Sequence, residues 1–195
     1  MKKRRIQLAA AVAIVSIASV VATTAVAGDG KNAKAKLSGF EEVPAVLTDG
    51  SGKFKAKISR TEQRIDYTLS YEDLEGGGVL FAHIHIGQRL ANGNVAAFLC
   101  GGGTKPAPCP PSGTVTGTIT PADVVPVPQQ GVVTFADLVE AIREGITYAN
   151  VHTMRSPGGE IRGQIDAGGG DRDDDDDDRD DDDDDRDDDD RDDDD

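Results

Sequence analysis

His83 and His85, in "AHIHIG" (Ala82 to Gly87), and His152, in "YANVHT", are the three histidines of the chain. Residues two apart on a strand share a face and stand about 6 to 7 Å apart, so His83 and His85 can turn both imidazoles toward one ion. By the same alternation Tyr148, Asn150 and His152 share one side of their own strand. If these two strands lie side by side, three neutral imidazoles form a set that suits copper or zinc, with a fourth position open to water or a ligand. The competing reading is structural. In it each imidazole hydrogen-bonds to backbone or to Asn150, Thr153 or Glu160 and fixes its strand.

No other group of residues gathers chemistry as well. Ser51, Ser59, Ser70, Ser112 and Ser156 all lie outside a Gly-x-Ser-x-Gly elbow. Glu41 and Glu42, in "GFEEVP", read as loop carboxylates that face solvent or cap a turn. The glycine runs at Gly76 to Gly78 and Gly101 to Gly103 open no helix, as a phosphate loop would require, and read as turns. No catalytic residue is assigned.

The elements that must position the histidines are mostly strands. "GKFKAKIS" alternates Phe54, Ala56 and Ile58 with Lys53, Lys55 and Lys57, and "RIDYTLSY" alternates Ile65, Tyr67, Leu69 and Tyr71 with polar neighbours. "VLFAHIHI" (Val79 to Ile86) is apolar on both sides, "VAAFL" is short and apolar, and "GTVTGTIT" is rich in β-branched residues. "GITYANVHT" and "GEIRGQI" flank the turn "SPGG" (Ser156 to Gly159). Seven or eight short strands of this kind predict an all-β antiparallel sandwich or barrel. One helix interrupts them. In "TFADLVEAIREG", Phe135, Leu138, Val139 and Ile142 follow helical spacing, Thr134 can cap the start with Asp137 three residues on, and Gly145 can end it. It is expected to cover an open end of the sandwich.

The termini differ from this body. Lys2, Lys3, Arg4 and Arg5, an apolar stretch and "AVA" before Gly28 read as a signal peptide over residues 1–27, giving a secreted or extracytoplasmic protein with no membrane span after cleavage; the competing reading is an uncleaved membrane anchor over Ile6 to Ala27. Cys100 and Cys109 are the only cysteines, and in an exported chain they are expected to form a disulfide across "CGGGTKPAPC". Residues 167–195 read as a Gly linker and a disordered Asp-rich tail, in which residues 171–195 hold 21 Asp and 4 Arg. Aspartate oxygens are hard ligands, so weak calcium binding on the tail is expected, with no ordered cage.

The net charge of −15 falls to −2 for residues 28–170 once −17 in the tail and +4 in the signal are removed. A nearly neutral domain leaves no basic excess for a nucleic-acid partner. With five Phe, three Tyr and no Trp, the core of the domain over residues 28–166 must be aliphatic.

"LSGFEEVP", "AHIHIG", "GTVTGTIT" and "EAIREGITYANVHTMRSPGGEIRGQI" together resemble the chordin-type (CHRD) domain, over about residues 33–165. That domain is found in bacterial secreted proteins and is repeated in animal chordins, extracellular proteins that bind growth factors. The resemblance implies an immunoglobulin-like antiparallel β-sandwich, similar to copper/zinc superoxide dismutase, and no established reaction. The dismutase has a His-x-His strand, to which His83 and His85 correspond, and a later copper histidine, to which His152 corresponds. No histidine remains for its bridging and zinc positions, so dismutation is not expected. The reading is a secreted binding or structural module for an unknown extracellular ligand. The alternative is a metalloprotein with copper or zinc on His83, His85 and His152 and redox chemistry.

Overall fold

The computed structural model describes residues 32–168. The signal peptide expected over residues 1–27 and the Asp-rich segment 171–195 lie outside the described residues. The strands are β1 (Asn32–Ser38), β2 (Ser51–Ile58), β3 (Ile65–Glu72), β4 (Val79–Ile86), β5 (Asn94–Cys100), β6 (Gly113–Ile119), β7 (Thr147–Thr153) and β8 (Ile161–Gln164), and the helix α1 is Phe135–Arg143.

All strand pairs are antiparallel, and together they make one sheet in the order β5-β4-β7-β8-β1-β2-β3-β6. The expected alternation is present. Phe54, Ala56 and Ile58 are buried on β2 while Lys53, Lys55 and Lys57 are exposed, and Ile65, Tyr67, Leu69 and Tyr71 are buried on β3. β1 follows the same rule, with Ala33, Ala35 and Leu37 inside and Lys34 and Lys36 outside. Its apolar side is mostly alanine, too small to stand out as a strand signal in the sequence. A one-residue slip would turn the lysines of β1 or β2, or Asp66, Thr68 and Ser70 of β3, into the core, which pins the register.

The sheet curls until its edge strands β5 and β6 meet, giving a nearly closed barrel from one continuous sheet. Two links draw this seam together. Tyr67 donates its hydroxyl hydrogen to the Leu99 carbonyl at 2.7 Å, and Cys100 is bonded to Cys109 with Cα atoms 5.2 Å apart. The edge of β5 is covered further along, where Val125 N donates to the Ala96 carbonyl at 2.8 Å and Ala97 bridges to Val124. Covered edges remove the unpaired backbone that would otherwise recruit other chains.

α1 forms where its caps and apolar spacing predict. Asp137 N donates to Thr134 Oγ1 at 3.3 Å, and the Asp137 carboxylate accepts from Thr134 N at 2.7 Å. Phe135, Leu138, Val139, Ala141 and Ile142 are buried in the same cluster as the inward residues of the sheet. That cluster is aliphatic as expected. Leu69, Ile84 and Leu138 show no exposure, and truncating any of them to Ala removes about 2–5 kcal/mol of stability. Ala167, in the expected linker, is also buried in it. Among the described residues no helix is long and apolar enough to cross a membrane.

Candidate metal centre

β4 and β7 are neighbours, and their register decides which side chains meet. His83 lies opposite Asn150, His85 opposite Tyr148, and Phe81 opposite His152. Opposed residues share a face, so all three imidazoles project to the same side. Ala82, Ile84 and Ile86, with Ala149 and Val151, occupy the other side and belong to the core. On the β5 side the ladder of β4 shifts between Ala82 and His83 and again between Ile84 and His85. Such irregularities re-aim side chains next to functional sites.

The three imidazoles are buried, and one nitrogen from each lies within 4.8 Å of the others. His83 Nδ1 and His85 Nε2 are 3.2 Å apart. Two nitrogens on one tetrahedral zinc, each at about 2.0–2.1 Å, stand about 3.3 Å from each other. The pair therefore has the separation of two ligands on one ion. The widest nitrogen pair must close by on the order of 1.5 Å to reach the same value.

Backbone carbonyls fix two of the rings. His85 Nδ1 lies 3.0 Å from the Gly93 carbonyl, and His152 Nδ1 lies 2.9 Å from the Pro157 carbonyl. A carbonyl only accepts, so each Nδ1 carries the proton, and each Nε2 of the neutral ring keeps its lone pair. A carbonyl behind a ligating imidazole is a common arrangement around protein metals. His152 Nε2 is buried with no hydrogen-bond partner. The structural reading of the histidines thus accounts for one nitrogen of His152 and leaves the other unsatisfied. Thr153 and Glu160 do not serve the imidazoles. Thr153 Oγ1 donates to Glu160 Oε2 at 2.6 Å, and Glu160 Oε1 accepts from Thr48 Oγ1 and Glu75 N.

Aromatic rings wall the site. Phe81 lies against His83 and His152, Phe98 meets His83 edge-on, and Tyr148 stacks flat on His85 with centroids 4.7 Å apart. Arg162 covers Tyr148 with its guanidinium carbon 3.5 Å from the ring centroid. Its Nη2 donates to the carbonyls of Gln88 and Ala91 at 3.1 and 2.9 Å, which ties down the loop that ends in Gly93. That loop turns tightly. A Cβ on Gly93 would sit 1.5 Å from the Ile86 carbonyl oxygen, so only glycine lets its own carbonyl reach His85.

Burial sets the charge state. Desolvation, followed by the nearby His152 and His85, pushes His83 down to about 3. Desolvation pushes His85 down to about 4 against the hydrogen bond to Gly93, with His152 and Arg162 adding to the fall. Desolvation also lowers His152. All three are neutral near pH 7 and present lone pairs rather than positive charge.

Glu42 departs from the expectation of a solvent-facing loop carboxylate. It is buried, and desolvation lifts it to about 7 against the pull of Arg162 and hydrogen bonds from Asn150 and Val43. Asn150, opposite His83, points its amide nitrogen at Glu42 Oε2 from 3.4 Å. Glu42 Oε1 and Asn150 Oδ1 are both buried without a partner. Gly159, at φ +128°, closes over them, and a Cβ there would lie 2.5 Å from Glu42 Oε1 and 2.7 Å from Asn150 Oδ1. Sequence reasoning did not find Glu42, Arg162, Gly93 or Pro157 as parts of this region. Glu42 and Arg162 reach the region from parts of the chain distant from what they touch, whereas Gly93 and Pro157 lie only eight and five residues from the histidines they hold, in loops that turn back on β4 and β7.

The family model of the CHRD domain matches residues 33–165. The chain belongs to the CHRD domain family. The matched span contains β4, β7 and every residue of the histidine site, so the three imidazoles are part of the CHRD domain itself. No curated protein and no solved structure matched the chain.

Proposed function

We propose that this CHRD domain is an exported binding module that holds one transition-metal ion, copper or zinc, on His83, His85 and His152. Membership of the family suggests a binding or structural module, and the three gathered imidazoles support a metal ion as its ligand. One observation carries the reading. His152 Nε2 is buried beside two other imidazoles with no partner, while its Nδ1 is fixed on Pro157. A buried acceptor left unpaired costs about 1–3 kcal/mol, and a bound cation removes that penalty.

The residues divide the work of binding. His83, His85 and His152 offer neutral nitrogens, since desolvation holds their proton affinity below the neutral range. Gly93 and Pro157 orient two of the rings, and Phe81, Phe98 and Tyr148 exclude water around them. A bound ion supplies a Lewis acid or, for copper, a one-electron centre. The likeness to copper/zinc superoxide dismutase extends to the His-x-His pair and one later histidine. With no fourth histidine in the chain, binding rather than dismutation is the function assigned.

Export fits the Cys100–Cys109 disulfide, which persists in oxidising compartments, and the signal-like residues 1–27. The Asp-rich segment 171–195 adds weak, multi-point calcium binding. The test is metal content of protein purified without a histidine tag, followed by Cu²⁺ and Zn²⁺ titration in about 0.5 M salt to silence the tail. One ion per chain is expected, with His83→Gln and His152→Gln each weakening affinity by about 100-fold or more. Protein that carries no metal and takes up neither ion at micromolar concentration would overturn the proposal.

A further inference from the structure

β1 and β2 carry a second feature, on the outer face of the sheet and independent of the histidines. Lys34 lies opposite Lys55 and Lys36 opposite Lys53, while Lys57 lies opposite Asn32. All five lysines are exposed. Like charges set directly opposite each other on neighbouring strands destabilise the pair. No carboxylate among the described residues forms an ion pair with any of the five. The nearest acidic position across β2, Asp66 opposite Lys57, is bound to Arg64 at 3.0 Å and accepts from Thr118. Lysines on edge strands prevent unwanted pairing, but β1 and β2 are interior strands of the sheet. That explanation does not cover them.

The chain itself carries the complementary charge. Asp166 is bridged to Lys34, each amide donating to the other's carbonyl at 2.8 Å. The described chain ends at Gly168, two residues beyond this bridge, and the 21 Asp and 4 Arg of residues 171–195 follow it in sequence. From Asp166 to Asp171 the backbone reaches up to about 17 Å. Lys53 to Lys57 spans about 13 Å of strand. The first aspartates can reach the whole row, and a short tether of this kind gives an effective concentration in the millimolar range.

We propose that the Asp-rich segment 171–195 folds back onto the lysine face of β1 and β2 and occupies it within the same chain. The contact neutralises the opposed lysine pairs. It is made of exposed charges, so it weakens as salt rises.

The test is zero-length carbodiimide cross-linking of the full chain, which joins Lys amines to Asp carboxyls only where they touch, read by mass spectrometry. In dilute protein the expected products are intramolecular links from Lys34, Lys36, Lys53, Lys55 or Lys57 to residues 171–195. Their yield should be unchanged over about tenfold dilution and should fall several-fold in about 0.5 M salt. The double variant Lys53→Gln with Lys55→Gln should lower the total yield without lowering the melting temperature, since it also removes one charge from each opposed pair. Lys105, whose ammonium is already held by Asp123 at 2.6 Å, is the internal control. Links found only in covalent dimers would assign the face to a second copy and overturn the proposal. Links to Lys105 as frequent as those to the five would show unspecific attraction and overturn it equally.

Discussion

His83 Nδ1 and His85 Nε2 stand 3.2 Å apart on the outer face of the sheet, close enough to share one proton or one metal ion. His85 already donates from Nδ1 to Gly93, so in the neutral pair its Nε2 accepts and His83 Nδ1 donates. Were an ion held there, His83 Nδ1 and His85 Nε2 would both offer lone pairs, with the His83 proton on its other nitrogen.

Removal of a ligand separates metal binding from packing. His85→Ala is expected to lower Cu²⁺ or Zn²⁺ affinity by about 100-fold or more. It also deletes the stack on Tyr148 and the hydrogen bond to Gly93, which lowers stability of the metal-free protein by about 1–2 kcal/mol. Calorimetric titration and denaturant melts read the two effects separately. Unchanged affinity in the variant would remove His85 from the site.

Acid should destabilise the metal-free protein through the same histidines. Their folded-state values, about 3 for His83 and about 4 for His85, lie below the ordinary 6.5. As pH falls below 6.5 the unfolded chain takes up protons that the folded chain refuses, so their contribution is present above 6.5 and is lost toward pH 4 and 3. Denaturant midpoints measured at pH 7, 5 and 4 should fall in that order, and His83→Gln should flatten the slope.

Glu42 has the opposite sign. Its folded value, about 7, lies above the ordinary 4.5, so the folded chain holds a proton that the unfolded chain releases between these values. Stability from this group is present below pH 4.5 and is lost as pH rises through 7, by on the order of 3 kcal/mol. Glu42→Gln keeps the shape, adds an amide donor for Asn150 Oδ1 and removes the titration. The variant should match the wild type at pH 4.5 and melt higher at pH 8.

The disulfide should matter to the seam of the barrel. Cys100 and Cys109 close a loop nine residues apart in sequence, for which chain entropy gives roughly 3 kcal/mol. Replacing both by Ser should lower stability by about that amount with no change in metal stoichiometry, because the histidines are held from β4 and β7. Loss of metal binding in the Ser variant would show that the seam and the site are coupled.

Much of this architecture is legible in the residues alone. The period of two in "GKFKAKIS" and "RIDYTLSY" names the buried face of each strand, and Thr134 with Asp137 names the start of α1. Such signals are local, since the partner that buries an apolar face need not be known to see that the face exists. The same alternation puts His83 and His85 on one side and His152 with Asn150 and Tyr148 on another. It does not say that the two sides coincide. That follows from the pairing of β4 with β7, strands more than sixty residues apart, in the one register that turns Ala82, Ile84, Ala149 and Val151 together into the core. β1 leaves little trace in the sequence because alanine contributes little hydrophobic contrast, and the sequence left sandwich and barrel both open because closure depends on strand order. Glu42 is the clearest case of tertiary decision. In a loop beside Glu41 it has every sign of a solvated carboxylate, and only the packing of Asn150, Arg162 and Gly159 around it excludes water and raises its proton affinity. Local periodicity determined which residues face inward; the long-range pairing that buries them decided which polar groups were brought together and left without water.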